Sequence, residues 1–195
     1  MILILLFWIF VGVILYTYMG YPLILLTLAG FNRVFGKGRQ KINPDFQPDI
    51  TLMIPAYNEA RFVIEKVNNS LELDYPKDKL NIVWITDGTT DNSSELLSRY
   101  PEITVMHAHE RRGKIHAMNR GMKTVNTPIV VFTDANTMLN REAIREIVKQ
   151  FVDRNVGCVT GEKRISGLAR QKAVGAGEGL YWQYESWIKN LESEI

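Results

Sequence analysis

Asp134 and Asn136, separated by one residue and leaving the apolar run Ile129–Thr133, set two oxygen donors side by side. Hard oxygen donors of this kind suit Mg²⁺ or Mn²⁺, ions that take only one or two protein ligands when phosphate oxygens complete the shell. Alone, Asp-x-Asn is also a common way to begin a turn. Three further polar clusters share its setting. Pro55-Ala56-Tyr57-Asn58-Glu59 follows the run Ile50–Ile54, either as a shelf for a ligand or as a helix entry in which Glu59 suits the first turn. Asp87-Gly88 follows Ile82–Thr86; the carboxylate can accept from a base N–H or a ribose hydroxyl, and glycine permits close backbone approach. Thr89, Thr90 and Asp91 read as turn and capping residues. Glu110-Arg111-Arg112-Gly113-Lys114 brings cations to the start of a helix, an arrangement that favours a diphosphate but also describes a solvated basic turn. It lacks the spacing of a Walker A loop.

The elements that must position these clusters follow from hydrophobic periodicity. Strands are predicted at Ile50–Ile54, Ile82–Thr86, Ile103–His107, Ile129–Thr133 and Val156–Thr160. Between them fall helices at Ala60–Leu71, with Ile64, Val67 and Leu71 on one face, at Asn92–Arg99 with Asp91 as cap, and at Lys114–Thr124. A further helix capped by Asn140 carries the stripe Ile144, Ile147, Val148 and Phe151. Apolar strands alternating with helices predict an α/β fold, a mostly parallel sheet with helices on both faces. Ligands of such sheets bind beyond the carboxyl ends of the strands, where all four clusters sit. The motif Gly175-Ala176-Gly177-Glu178-Gly179 follows no strand and has the wrong spacing for dinucleotide binding. The last segment carries Leu180, Tyr181, Tyr184, Trp187, Ile188 and Leu191 on one helical stripe, suited to docking on its own domain or to lying in a membrane interface.

From Met1 to Asn32 no residue is charged, and the run exceeds the roughly 20 apolar residues needed to cross a bilayer. Arg33, Lys37, Arg39 and Lys41 follow with no intervening acid, which predicts a cytoplasmic domain and an external N-terminus at the cell membrane. Gly20-Tyr21-Pro22 interrupts the run, so one crossing of about residues 2–20 is expected, followed by a kinked or interfacial segment. The layout is then an anchor over 1–31, a basic flank and Pro-punctuated linker over 32–49, and the α/β part over 50–195. Without the four flanking cations the chain has 19 basic against 21 acidic residues, which argues against a nucleic-acid surface. The one cysteine, Cys158, lies in an apolar stretch and is expected to pack in the core of a protein from a reducing compartment. His107, His109 and His116 lack zinc-site spacing, and the first two alternate on one strand face.

The ordered set IPAYNE, TDGTTDNS, GKIHAMNRG and FTDANT resembles the family 2 glycosyltransferases, which share the GT-A fold, and in particular the membrane-embedded synthases of cellulose, hyaluronan and poly-N-acetylglucosamine. The resemblance covers about residues 48–195, and the N-terminal anchor matches that group's layout. It implies a Rossmann-like GT-A domain that transfers a sugar from a nucleotide donor, a UDP-sugar, to a glycan or lipid-linked acceptor with inversion. Carried over by motif, Ala56, Tyr57 and Glu59 would line the nucleoside site, Asp87 would hold the base, and Lys114 would lie near the nucleotide. Asp134 and Asn136 would bind the diphosphate through Mg²⁺ or Mn²⁺. Thr86 stands where many relatives have the first aspartate of an Asp-Asp-Gly pair, and Asn136 replaces the second aspartate of the metal motif. The family's general base and its Gln-x-x-Arg-Trp motif fall later than Ile195, so the expectation is a truncated donor half with no assignable base. The alternative is a membrane-anchored nucleotide-sugar binding or scaffolding protein without transferase activity.

Overall fold

The computed structural model describes residues 1–35, 43, 45–162 and 176–195. Two compact units emerge: Gln40–Gly161, and the terminal segments Met1–Arg39 with Glu162–Ile195.

In the first unit, four apolar segments pair as parallel strands: β1 (Ile50–Ala56), β2 (Leu80–Asp87), β3 (Thr104–Ala108) and β4 (Ile129–Phe132). Their order is β3-β2-β1-β4, with Ile54 opposite Trp84 and Met53 opposite Phe132. The chain steps outward from β1 to β3 and then returns to the other side of β1. Residues beyond the ends of β1 and β4 therefore flank the point where strand order reverses, the usual crevice for ligands in such sheets. The period-two alternation of side chains supplies two cores. Leu52, Ile54 and Trp84 face one side with Val63 and Val67 of α3 (Ala60–Leu71), Leu97 of α4 (Ser93–Leu97), and Ile144 and Val148 of α6 (Ala143–Val148). Met53, Val83 and Ile85 face the other with Ala117 of α5 (Lys114–Met122). Close packing of α5 on the sheet depends on Gly121, where a Cβ would stand 2.2 Å from Ile85 Cδ1.

Several sequence expectations need correction. Val156–Thr160 forms no strand: among the described residues it has no ladder partner to take up its backbone groups. Cys158 is consequently exposed rather than a core thiol. Helix α3 buries Val63, Lys66, Val67 and Ser70, whereas Ile64 is 52% exposed, so its inward face is rotated from the one expected. Asn140 does not cap α6 with its side chain; only its carbonyl takes part, accepting from Ala143 N–H at 3.0 Å. The helix then tightens into a 3₁₀ turn at Lys149–Val152, leaving Ile147 and Phe151 only partly buried.

Asp91 joins two helix starts. Its Oδ2 accepts from Ala60 N–H of α3 at 2.9 Å, and its Oδ1 accepts from Ser93 N–H of α4 at 3.1 Å and from Ser93 Oγ at 2.5 Å. Partial burial pushes the carboxyl pKa up, but the bonds from Ser93 and Ala60 outweigh it and hold the pKa below the ordinary value. The ionised form is thus favoured by folding, so this stabilisation is present above about pH 4 and is lost as pH falls through the depressed folded value. Wild type is expected to be more stable than Asp91→Asn near about pH 6, with a smaller gap near about pH 3. Thermal unfolding of both chains in detergent checks this; a gap of equal size at both values contradicts it.

In the second unit, α1 (Ile2–Leu15) and α2 (Tyr21–Phe35) run on as one helix from Ile2 to Phe35, long enough to cross a membrane and containing an 18-residue stretch of mean hydropathy 2.5. The helix is not interrupted at Gly20-Tyr21-Pro22. A π-turn over Tyr16–Gly20 absorbs the proline instead, with Tyr21 N–H donating to Tyr16 O five residues back. Widening the turn relieves the contact between the Pro22 ring and the preceding turn without ending the helix. Of the basic flank, Lys37, Arg39 and Lys41 lie outside the described residues. Helix α7 (Ala176–Glu192) forms where the aromatic stripe predicts one. It packs on α2, Leu191 meeting Leu25 and Ala29, with Tyr184 Oη donating to Tyr18 O at 3.1 Å and Arg33 paired to Glu194 at 2.6 Å. Within this unit the stripe therefore has a helical partner, while Tyr181 and Trp187 stay exposed. The side chain of Leu180 lies outside the described residues.

Candidate functional site

The carboxyl ends of β1, β2 and β4 and the start of α5 enclose a cavity of about 350 Å³ in the α/β unit. Ala56, Tyr57, Glu59, Asp87, Lys114, Asp134 and Asn136 all line it, joined by Arg111, Gly113 and Ala135.

The last of these clusters is shaped by a simple alternation. Thr133 N–H donates to Met53 O at 3.1 Å, holding the chain in line with β1 just past the end of β4. Thr133 and Ala135 then point into the core, at 8% and 2% exposure, so Asp134 and Asn136 between and beyond them face outward. Asp134 Oδ1 is ion-paired to Lys114 Nζ at 2.5 Å, and Asn136 Oδ1 accepts from Thr137 Oγ1 at 3.4 Å. Lys114 is the first residue of α5, so its cation reaches the cavity from a helix N-terminus.

Asp87 closes β2 and is only 4% exposed. Its Oδ2 accepts from Arg112 N–H at 2.9 Å and from Gly113 N–H at 2.6 Å, which moors the loop that leads into α5. Its buried Oδ1 has no hydrogen-bond partner and lies 3.7 Å from Arg120 Nη1. Arg120, one turn from the end of α5, spends its Nη2 on the Thr86 carbonyl at 2.9 Å. Gly88 sits at φ +63, and a Cβ there would stand 2.5 Å from Arg111 N, so this glycine admits the Arg111 backbone. The Arg111 guanidinium in turn covers the Tyr57 ring at 3.9 Å, a cation–π contact at the cavity wall.

Thr86 points to the opposite face from Asp87 and is fully buried, with Oγ1 bonded to His107 Nδ1 at 2.8 Å. The β2–β3 register, which sets Thr86 opposite His107, produces that pair. His107 and His109 keep to one side, their Nε2 and Nδ1 being 3.3 Å apart.

Three residues that matter to this geometry have no role assigned from the sequence. Arg111 was legible only as one cation of a basic run. Arg120, in the last turn of α5, falls within GKIHAMNRG but has no role assigned to it there. Lys66, fully buried on α3, donates Nζ to Thr133 Oγ1 at 3.0 Å and to the Thr137 carbonyl, on either side of Asp134 and Asn136. Burial pushes its ammonium down to about 8, the Asp134 carboxylate partly opposing the shift.

The oxygen donors of Asp134 and Asn136 fit a hard divalent cation: both line the cavity and both are solvent-accessible. Among the described residues no group of three or more His, Cys, Asp or Glu side chains could hold a metal by itself. Such a cation would complete its shell with water or with oxygens of a bound ligand.

Residues 51–186 match the family described as glycosyl transferase family 2. A poly-beta-1,6-N-acetyl-D-glucosamine synthase of Staphylococcus aureus (strain COL) is 34% identical over 151 residues, covering 75% of this chain and 35% of that synthase. The synthase of the same name from Staphylococcus epidermidis is 29% identical over 120 residues, covering 60% and 29%. The chain thus spans 35% or less of the length of these curated relatives. Among solved structures, the mannosyltransferase PcManGT from Pyrobaculum calidifontis, in complex with GDP-Man and Mn²⁺, superposes with a TM-score of 0.62 at 32% identity, covering 75% of this chain and 45% of that one. Staphylococcus aureus TarS 1–349 in complex with UDP-GlcNAc shares the fold, with a TM-score of 0.50 at 22% identity over 54% of this chain and 31% of that one.

Proposed function

The chain belongs to glycosyl transferase family 2, and from that premise we propose that it carries the donor site of a membrane-anchored synthase. The reaction is transfer of a sugar from a UDP-sugar to a glycan or lipid-linked acceptor, with inversion. One observation carries the reading: Tyr57, Asp87, Arg111, Lys114, Asp134 and Asn136 converge on a single cavity at the switch point of a parallel sheet. An aromatic face and a carboxylate at one side suit a nucleoside. Two cations and an Asp-x-Asn pair at the other suit a diphosphate.

In this reading Tyr57 offers its ring to the base once Arg111 moves aside, and Asp87 Oδ1 accepts from the base or ribose. Lys114 and Arg111 hold the diphosphate oxygens and stabilise the charge that builds as the glycosidic bond breaks. Asp134 and Asn136 hold Mg²⁺ or Mn²⁺, which when bound adds positive charge at the leaving diphosphate. We assign no general base among the described residues. Supporting a UDP-sugar donor are the curated relatives named for a poly-N-acetylglucosamine product. The apolar helix Ile2–Phe35 followed by a basic flank supports anchoring in the cell membrane, with the α/β unit cytoplasmic and the N-terminus outside.

Calorimetric titration of the full chain in detergent tests the donor assignment. UDP is expected to bind more tightly with Mn²⁺ than without, and GDP more weakly than UDP under the same conditions. Tighter binding of GDP would reverse the base assignment. Absence of binding by either nucleotide to folded protein would overturn the donor site itself.

A further inference from the structure

Resting on the donor-site reading above, we propose that Lys66 is a positioning residue for the metal-binding turn: its buried ammonium ties together the two ends of the segment that carries Asp134 and Asn136. Thr133 precedes Asp134 and Thr137 follows Asn136, and both give Lys66 Nζ an oxygen. Three residues further along α3, Asn69 fastens the continuation of the same segment through a reciprocal pair. Its Nδ2 donates to Leu139 O at 2.8 Å and its Oδ1 accepts from Leu139 N–H at 2.9 Å. Residues three apart lie on one helix face, so α3 presents a polar ridge along the whole of this turn.

The choice of lysine is informative because it is costly. Taking an ammonium out of water is unfavourable even when it is hydrogen-bonded, and an apolar side chain of equal length commonly packs as well or better. Stability of the core thus gives no reason for this residue. Fixing the turn does: Ala135 is buried between the two oxygen-bearing side chains, and Thr133 and Thr137 are the points at which the turn meets the helix. A group that locates metal ligands through hydrogen bonds, without touching the metal, typically contributes about 10–100-fold to metal affinity.

Lys66→Met keeps the length of the side chain and removes its donors; Thr133→Val removes one acceptor and leaves the lysine in place. For wild type and both variants, Mn²⁺ is titrated into UDP-loaded full-length chain and free Mn²⁺ is read by electron paramagnetic resonance, against a protein-free UDP blank. UDP affinity without metal and thermal stability are measured alongside. Lys66→Met is expected to weaken Mn²⁺ binding by about tenfold or more, with metal-free UDP affinity unchanged and stability equal or higher. Thr133→Val is expected to show a smaller loss of the same kind, and it carries the test if Lys66→Met fails to fold. A general packing role would lower stability and both affinities together, and that result overturns the proposal. So does unchanged or tighter Mn²⁺ binding in the variants, the latter meaning that the buried cation chiefly repels the metal. If wild type itself shows no Mn²⁺ binding above the blank, the donor-site reading falls and this inference with it.

Discussion

Replacing Asp134 with alanine is expected to abolish the metal-dependent part of UDP binding, a loss on the order of 100-fold in Mn²⁺ affinity at the nucleotide-loaded site. Asp134 is the carboxylate of the Asp-x-Asn pair, and its neighbour Asn136 brings only a neutral amide oxygen. With one charged and one neutral donor the site has no spare anion, so the effect should exceed that of Asn136→Ala. The fold should be unaffected. Asp134 is exposed; among the described residues its one ion pair is with Lys114, also exposed, a kind that adds little to stability, and its influence on the Lys66 ammonium is secondary to burial. The same pair makes Lys114→Met a useful companion: it removes a competitor for Asp134 and also a partner for the diphosphate, so Mn²⁺ binding without nucleotide should rise while UDP binding falls. Calorimetry with and without Mn²⁺ reads all three variants. Retention of the full metal-dependent increment in Asp134→Ala would show that the cation, if used, is held elsewhere.

Asp87→Ala is expected to lose both UDP binding and about 3 kcal/mol of stability. The stability cost follows from what the carboxylate holds. Arg112 N–H and Gly113 N–H lose their acceptor, and Arg120, which lies 3.7 Å from Oδ1, loses the only carboxylate paired with it among the described residues. Arg112 and Gly113 are exposed and their N–H groups can turn to water, so most of the cost is the Arg120 charge left without its carboxylate, with relaxation of the loop returning part of the total. Loss of binding has two sources, since the same carboxylate faces the cavity and anchors the loop bearing Arg111 and Lys114. Asp87→Asn separates them. Its amide oxygen can still receive a backbone N–H, so stability should be partly restored, while the anionic acceptor for a base remains missing. Chemical unfolding followed by circular dichroism, with UDP titration at the same temperature, distinguishes the outcomes. An Asp87→Ala chain of wild-type stability would mean that the loop is held by other contacts.

Much of the candidate site is legible in the sequence because its residues sit in short motifs at strand ends. Periodicity locates β1, β2 and β4 to within two residues, and polar groups just beyond an apolar strand have few places to go other than the rim of the sheet. What periodicity treats poorly is a helix face that buries a polar residue. The stripe Ile64, Val67, Leu71 is the most apolar reading of α3, yet Lys66 goes inward because Thr133 and Thr137 supply oxygens from nearly seventy residues away. The Thr86 substitution is comparable. In sequence it is a missing aspartate; in space it is a buried hydroxyl bonded to His107 across a strand pair. Val156–Thr160 fails in the opposite sense, having strand-forming residues but no neighbour to pair with among the described residues.

Residue order alone sets the alternation of strands and helices, the apolar N-terminal helix, and the identity of the polar groups at the carboxyl edge of the sheet. These follow from local spacing, and local spacing is set by the 3.6- and 2-residue repeats of the backbone. What each of those groups touches is settled by the fold as a whole. Asp87 moors a loop, Arg111 covers Tyr57, Lys114 neutralises Asp134, Lys66 ties down the turn after β4, and α7 lies against α2. Each of these contacts joins residues at least 20 apart in the chain; those of the α/β unit depend on strand order and register, and that of α7 with α2 on the pairing of two distant helices, which no single segment encodes.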